Sequence, residues 1–443
     1  MKHDLHANPT LRFVIPVMSE SILNTVVGLV FSYLIGGISA SSLTTIAQGN
    51  QVITLICAAA TMFVTGSGIL CARLLGAGER LDASHVVEQA ILLSAAASLT
   101  ITVLCLIFAA PLMELLMPRA DAEVLSEGIA FFRMLILSLP FAMLNNAFTS
   151  VMRASGDGRS PLIISTLLCG LQLLFAWLFL RVIPLDVVGA GLSYLLSRAI
   201  GSTVAFIMLM HSHQYVLKIR EMFKPHVPTF KRILKIGVPT SVESIFVQTG
   251  YLVASSMVIG LGTFEAAVYN VANTLYSFAA LPQGICSTIA TTMIGQLIGA
   301  HEFKRAKRTG WHIWMIGMGA SFILSMGTAI FGSSLTPIYS SDAQIQANAA
   351  SALWAVVVMC VPAISLNTLD PQLRVGGDVK YVMYVTIIAV WAIRLPLTYL
   401  LCYVWNMGAV GVFWANTLSL LFRMVCNCRA TIDVGKDEKR KEI

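Results

Sequence analysis

The chain has 443 residues, of which 57% are hydrophobic and only 12% charged, with a mean hydropathy of +0.79. A soluble protein of this length carries about twice that charged fraction, so the composition excludes an ordinary soluble domain and indicates a polytopic membrane protein. The net charge of +7 is not a nucleic-acid footprint, because the basic residues lie in short loops between apolar runs, the pattern that orients a membrane protein.

In chain order, residues 1–12 are polar and the apolar run after them reaches about Gly37. That run is too long for a signal-peptide core. Gly37-Ile38-Ser39-Ala40 has the small residues of a cleavage site, but the same unit recurs in mid-chain, so the first copy is expected to stay as a helix. Runs of about twenty apolar residues, enough to cross a bilayer, fall near 13–37, 46–71, 86–110, 129–152, 161–183 and 187–210. The second half repeats the count near 233–260, 267–297, 311–339, 347–371, 379–404 and 408–428. The expected fold is an all-α integral membrane protein with twelve transmembrane helices in two six-helix repeats. Residues 1–217 would form one lobe and 218–443 the other, with the polar segment 211–232, carrying Pro225 and Pro228, as a cytoplasmic linker.

Lys218, Arg220, Lys224, Lys231, Arg232 and Lys235 share one loop region, and Lys304, Arg305, Lys307 and Arg308 share another. The opposite loops hold only Arg119 and Arg181. By the positive-inside rule both termini are expected on the cytoplasmic side of the inner membrane. The nine cysteines (57, 71, 105, 169, 286, 360, 402, 426 and 428) sit mostly within apolar runs and form no CxxC; they read as small buried hydrophobes.

Two stretches match across the halves. Ile15-Pro16-Val17-Met18-Ser19-Glu20 and Val238-Pro239-Thr240-Ser241-Val242-Glu243 each place a proline four residues before a carboxylate, on one helix face and at an offset of 223. Gly37 and Gly260, and Asn50 and Asn273, repeat that offset, as does Leu75-Gly76-Ala77-Gly78-Glu79 against Ile298-Gly299-Ala300-His301-Glu302. Pro140 answers Pro362, and Arg153-Ala154-Ser155-Gly156-Asp157 answers Arg374-Val375-Gly376-Gly377-Asp378 at an offset of 221. Ordered matches with so small a drift mark an internal duplication. An even number of spans per copy implies an axis along the membrane normal and a cavity at the repeat interface.

The paired Arg-x-x-Gly-Asp loops, Arg153 with Asp157 and Arg374 with Asp378, together with Pro239-x3-Glu243-x4-Gln248-x-Gly250 and Trp391-x-x-Arg394, resemble bacterial multidrug and toxic compound extrusion (MATE) transporters. The resemblance covers all twelve runs. It implies a two-lobe exporter that uses a proton or sodium gradient to expel organic, often cationic, compounds. Where many members carry an aspartate late in the first helix this chain has Phe31, and the fifth-helix Asn…Asp pair reads Gln172 and Ala176. The seventh-helix glutamate of the sodium-coupled branch would fall near Val247, and the last-helix Asp-Trp reads Ser419-Leu420, with Arg423 kept. The coupling ion, H+ or Na+, therefore stays open.

The remaining intramembrane acids are read as Glu20 and Glu243, each eight residues past a basic boundary residue, Arg12 or Lys235, hence about 12 Å along its helix. A charge within a hydrocarbon-length segment is expensive, and its functional reading is a carboxylate that exchanges a proton or cation; the alternative is a permanently paired, helix-anchoring acid. Arg394 lies deeper and is expected to have a structural partner or a backbone-carbonyl contact rather than to bind substrate, since a fixed positive charge would repel cations, while Arg198 is close enough in depth to pair with Glu20. Asn50, Asn145, Asn146, Gln172, Gln248, Tyr251, Tyr269, Asn270, Asn273, Tyr276 and Asn367 are candidates for lining a substrate cavity, or for joining helices. The Arg153/Asp157 and Arg374/Asp378 loops are expected to clamp the inner gate. His211 with His213, and His301 with His312, lack further ligands, so no metal is expected, and no Walker-type sequence suggests nucleotide.

The leading reading is a monomeric secondary antiporter, with a small organic substrate, the lipid bilayer as surroundings, no nucleic-acid partner and no cofactor beyond the coupling ion. Export of an endogenous metabolite or lipid-linked compound on the same fold is a second reading. A transferase would need a His/Asp or metal cluster at a membrane face, and a channel would not need a duplicated carboxylate.

Overall fold

A computed structural model of the chain describes residues 9–36, 40–116, 122–183, 185–212, 214–222, 224–339 and 342–441. Every regular element among them is helical. The principal helices are α1 (Pro9–Gly36), α2 (Ala40–Gly76), α3 (Arg80–Ile107), α4 (Ala122–Ala154), α5 (Arg159–Trp177), α6 (Asp186–Met210) and α7 (Val227–Gly260). They continue with α8 (Thr263–Ala279), α9 (Leu281–Gly299), α10 (Phe303–Ile330), α11 (Ala343–Gly376), α12 (Val379–Ile387) and α13 (Val410–Lys441). Wide π turns extend α5 over Leu178–Val182 and carry α12 on through Ile388–Arg394 and Leu400–Val404. With α8 and α9 taken as one broken rod, six helical rods fall in each half. By length and composition, eight helices among the described residues suffice to cross a membrane, or nine if the bent pair Ile53–Ala59 and Met62–Gly76 is one span.

The uninterrupted run expected over 267–297 is corrected: it breaks at Ala280. Pro282, in the first turn of α9, has no amide hydrogen to continue the α8 ladder. The first copy bends by 42° at nearly the same repeat position, between Ile53–Ala59 and Met62–Gly76.

The chain separates into two compact units, Met1–Ser241 and Val242–Ile443. This boundary lies inside α7, beyond the 217/218 division read from the sequence. The first half of α7 belongs to the first unit because it packs closely on α2. A Cβ on Gly66 would come within 2.5 Å of the Ile233 carbonyl oxygen, and one on Gly237 would overlap the Met62 carbonyl. Ser241 donates to the Ala59 carbonyl at 2.7 Å. In the second unit, α11 has most of its apolar stretch buried, and Ala349, Ala352 and Ala355 give it a narrow buried face of the kind that lets membrane helices approach closely.

The segment between the repeats is strapped to α3. Ser84 accepts the Val216 amide, Glu88 accepts the Lys218 amide, and Gln89 brackets the chain by accepting from His226 N at 2.8 Å and donating to Lys224 O at 2.9 Å. Tyr215 donates to the Val151 carbonyl at 2.8 Å. Burial holds its phenol well above the ordinary value, so it remains a donor.

Candidate functional site

In the first unit, Pro16 and Glu20 lie on α1, and Glu20 is buried. Arg153, in the last turn of α4, donates through one Nη1 to both carboxylate oxygens at 3.0 Å. Ser165 on α5 donates to Oε1 at 2.9 Å, and Thr149 accepts the other arm of Arg153 at 3.0 Å. The turn after α4 makes this possible. Gly156 takes a left-handed conformation, φ 84°, which costs a residue without Cβ little. A Cβ on Gly158 would sit 2.8 Å from the Phe13 carbonyl oxygen, so the glycine admits α1 against the turn. Asp157 does not pair with Arg153; its Oδ1 accepts the Arg159 and Ser160 amides at 2.9 and 3.1 Å and caps α5.

The second unit repeats the arrangement and enlarges it. Glu243 on α7 is buried and accepts from Arg374 at 2.8 Å, from Arg423 at 2.9 Å and from the Thr386 hydroxyl at 2.9 Å. Arg374 occupies the last turn of α11, closed by Gly377 with φ 111°. Ser165 and Thr386 stand at the same 221-residue offset as Arg153 and Arg374, so an acid, an arginine and a hydroxyl are duplicated together. Asp370 on α11 pairs with Arg423 on α13 and accepts from Asn427 at 2.6 Å. At the matching positions the first unit has Thr149 and Ser202, so this extra ion pair belongs to the second copy alone. The buried acids among the described residues are thus Glu20, Glu243 and Asp370, with Glu88 on α3 committed to the strap. Asp370 was missed in the sequence because it has no carboxylate twin, though its place four residues before Arg374 on one helix is a legible signal.

The remaining arginines behave differently. Arg198 does not reach Glu20, against the sequence expectation: it donates to Ser138 Oγ at 2.9 Å and lies 4.8 Å from the Tyr194 ring centre. Gln172 lies beside the Tyr194 hydroxyl. Arg394 closes the π turn Ile388–Arg394 and packs 3.9 Å from the Tyr251 ring centre. Gly250 leaves α7 room to pass Val390 in that turn. The Tyr276 hydroxyl meets Gln283, and both Tyr269 and Tyr276 lie within electrostatic reach of Arg394.

The other polar candidates are dispersed. Asn146, Asn270 and Asn273 are exposed, Gln248 is half-buried, and Asn367 donates to the Ala363 carbonyl of its own helix at 2.9 Å. Asn145 has a buried Oδ1 with no partner among the described residues. Asp378 precedes α12 without capping it through its side chain. The side chain of Asn50, and His213, lie outside the described residues.

The model of the MatE family matches twice, over residues 16–178 and 239–400. The matches start at Pro16 and Pro239 and so reproduce the repeat. A probable multidrug resistance protein, NorM, of Thermotoga maritima is 23% identical, across 97% of this chain and 93% of the relative. An outward-facing MATE family transporter of the MOP superfamily superposes with a TM-score of 0.87 at 20% identity, covering 97% of this chain and 96% of that one. A MOP superfamily transporter from Pyrococcus furiosus, described by a reverse polarity of its binding pocket suggesting a different function, gives 0.86 at 21% identity over 97% of both chains. With both halves matched and the fold shared, the chain belongs to the MatE family and is a multi-pass, all-helical membrane transporter of the multidrug-efflux kind.

Proposed function

We propose that the protein is a secondary active antiporter that exports small organic compounds across the cytoplasmic membrane in exchange for H+ or Na+ by alternating access, acting as a monomer with both termini cytoplasmic. The observation that carries this reading is the acid–arginine–hydroxyl set built once in each unit at matched offsets, Glu20–Arg153–Ser165 and Glu243–Arg374–Thr386. Each set ties the first helix of a repeat to the end of its fourth. An ion that takes the carboxylate from the arginine opens the tie and so favours another arrangement of those helices. Coupling then follows if substrate and ion prefer opposite arrangements, since a ligand shifts an equilibrium only through its differential affinity.

For the organic cation expected by resemblance, the acids of the two matched sites offer no free attractor among the described residues: Glu20, Glu243 and Asp370 are each held by an arginine. The second reading, export of an endogenous metabolite, gains support from Arg198 and Arg394, which have no acid partner among the described residues. The Pyrococcus furiosus neighbour, described by its reversed pocket polarity, is a precedent for such a change within the fold. Transport is tested in inverted membrane vesicles with a panel of charged dyes, energised first by a proton gradient and then by sodium. Accumulation that collapses when the driving gradient is dissipated is expected for one of the two ions. Failure of every dye to move under either gradient refutes the antiport.

A further inference from the structure

We propose that Arg394 and the tyrosines around it form an anion-recognition site, so that the exported compound carries a carboxylate or phosphate group; this rests on the transport reading above. Arg394 is only 2% exposed, and a buried guanidinium is ordinarily paired because isolating the charge is costly. Among the described residues it makes no ion pair and no hydrogen bond, and its buried Nε has no partner. Its one contact with an opposing group is the face of Tyr251, at 3.9 Å. A cation–π contact recovers only part of what an ion loses on burial.

The surroundings suit an anion better than they suit a filled structural site. Tyr251 is 37% exposed, so the ring that covers the guanidinium is not itself enclosed by the second unit. Tyr269 and Tyr276 bring phenol groups to the same neighbourhood, and phenols donate hydrogen bonds to oxyanions. The planar guanidinium fork matches a carboxylate or phosphate. The carboxylates that might have neutralised it are committed elsewhere, to Arg374 and Arg423. Arg394 also sits on a π turn, a backbone form found often at functional sites. The first unit repeats the motif on different residues, with Arg198 beside Tyr194 and no carboxylate partner among the described residues. An inside-negative potential would assist export of an anion.

The test uses the full-length protein purified in detergent and two xanthene dyes of opposite charge, 5-carboxyfluorescein and rhodamine 6G, read by fluorescence polarisation without any gradient. The wild type is expected to bind carboxyfluorescein about tenfold more tightly than rhodamine 6G, and Arg394→Gln to lose about tenfold for the anion while changing the cation by less than about twofold. Arg394→Lys, which keeps the charge but loses the fork, should fall between them. A wild type that prefers rhodamine 6G overturns the proposal and needs no variant to do so. An Arg394→Gln protein with unchanged anion affinity overturns it as well. Selective anion binding by a protein that pumps neither dye in energised vesicles would sustain this site and remove the antiport reading instead.

Discussion

Glu243 has two arginines, of which Arg423 is shared with Asp370, whereas Glu20 has one. Neutralising one member of a buried pair leaves its partner's charge uncompensated, which costs about 3–5 kcal/mol. Glu243→Gln should sit near 3 kcal/mol, because Asp370 still faces Arg423, and Glu20→Gln should cost less. Melting curves in detergent that show Glu20→Gln as the more damaging change would contradict this. The second copy's extra pair gives a sharper test. Asp370→Thr or Arg423→Ser alone leaves the cluster of two acids and two arginines with one charge in excess, but together they recreate the first copy's Thr149 and Ser202. The double variant is expected to be more stable than either single, a non-additivity typical of coupled groups; a simply additive loss would show that the pair acts independently. These pairings were only half legible. The sequence displays both glutamates and both loop arginines, yet it does not reveal that each loop arginine reaches back to the glutamate of its own copy. That contact depends on Gly158 admitting α1 to the turn, a packing fact with no sequence period.

At the scale of elements, hydropathy located the long helices because each must bury its backbone polar groups internally within a span. It could not show the break at Ala280 or the π turns, since both preserve apolar character while changing only the hydrogen-bond ladder. Nor could it place the unit boundary, which follows how tightly α7 meets α2. Gly237→Ala should therefore be damaging, as its methyl would overlap the Met62 carbonyl, and overpacking costs about 1–3 kcal/mol. Gly170→Ala on α5, with nothing within 4 Å of the new methyl, is the matched control and should be neutral or mildly stabilising. Equal melting temperatures for the two would refute the close approach of α7 to α2. The strap on α3 has its own test. Gln89→Leu removes both hydrogen bonds that bracket Lys224 and His226, so trypsin should cut at Lys218 or Arg220 faster than in the wild type. Unchanged cleavage would mean that the strap is held by other contacts.

For the whole molecule, the duplication explains why so much was visible: two copies of one unit let weak signals confirm one another at fixed offsets, and the family match begins at the same two prolines. Features without a twin in the other copy had no such offset to support them: the pair Asp370–Arg423 and the side-chain partners of Arg198 and Arg394. Cysteine labelling of the 211–232 segment should succeed from the cytoplasmic side only; labelling from outside would invert the orientation drawn from loop charge. The most direct test of the coupling role of the duplicated acid–arginine tie is to compare dye counterflow at equal ion concentrations with gradient-driven accumulation for the wild type and Glu243→Gln in the same vesicles. Counterflow needs a folded, moving carrier but no coupling. The account predicts that Glu243→Gln retains counterflow and loses accumulation against a gradient; accumulation at the wild-type level with an unchanged pH dependence would contradict it.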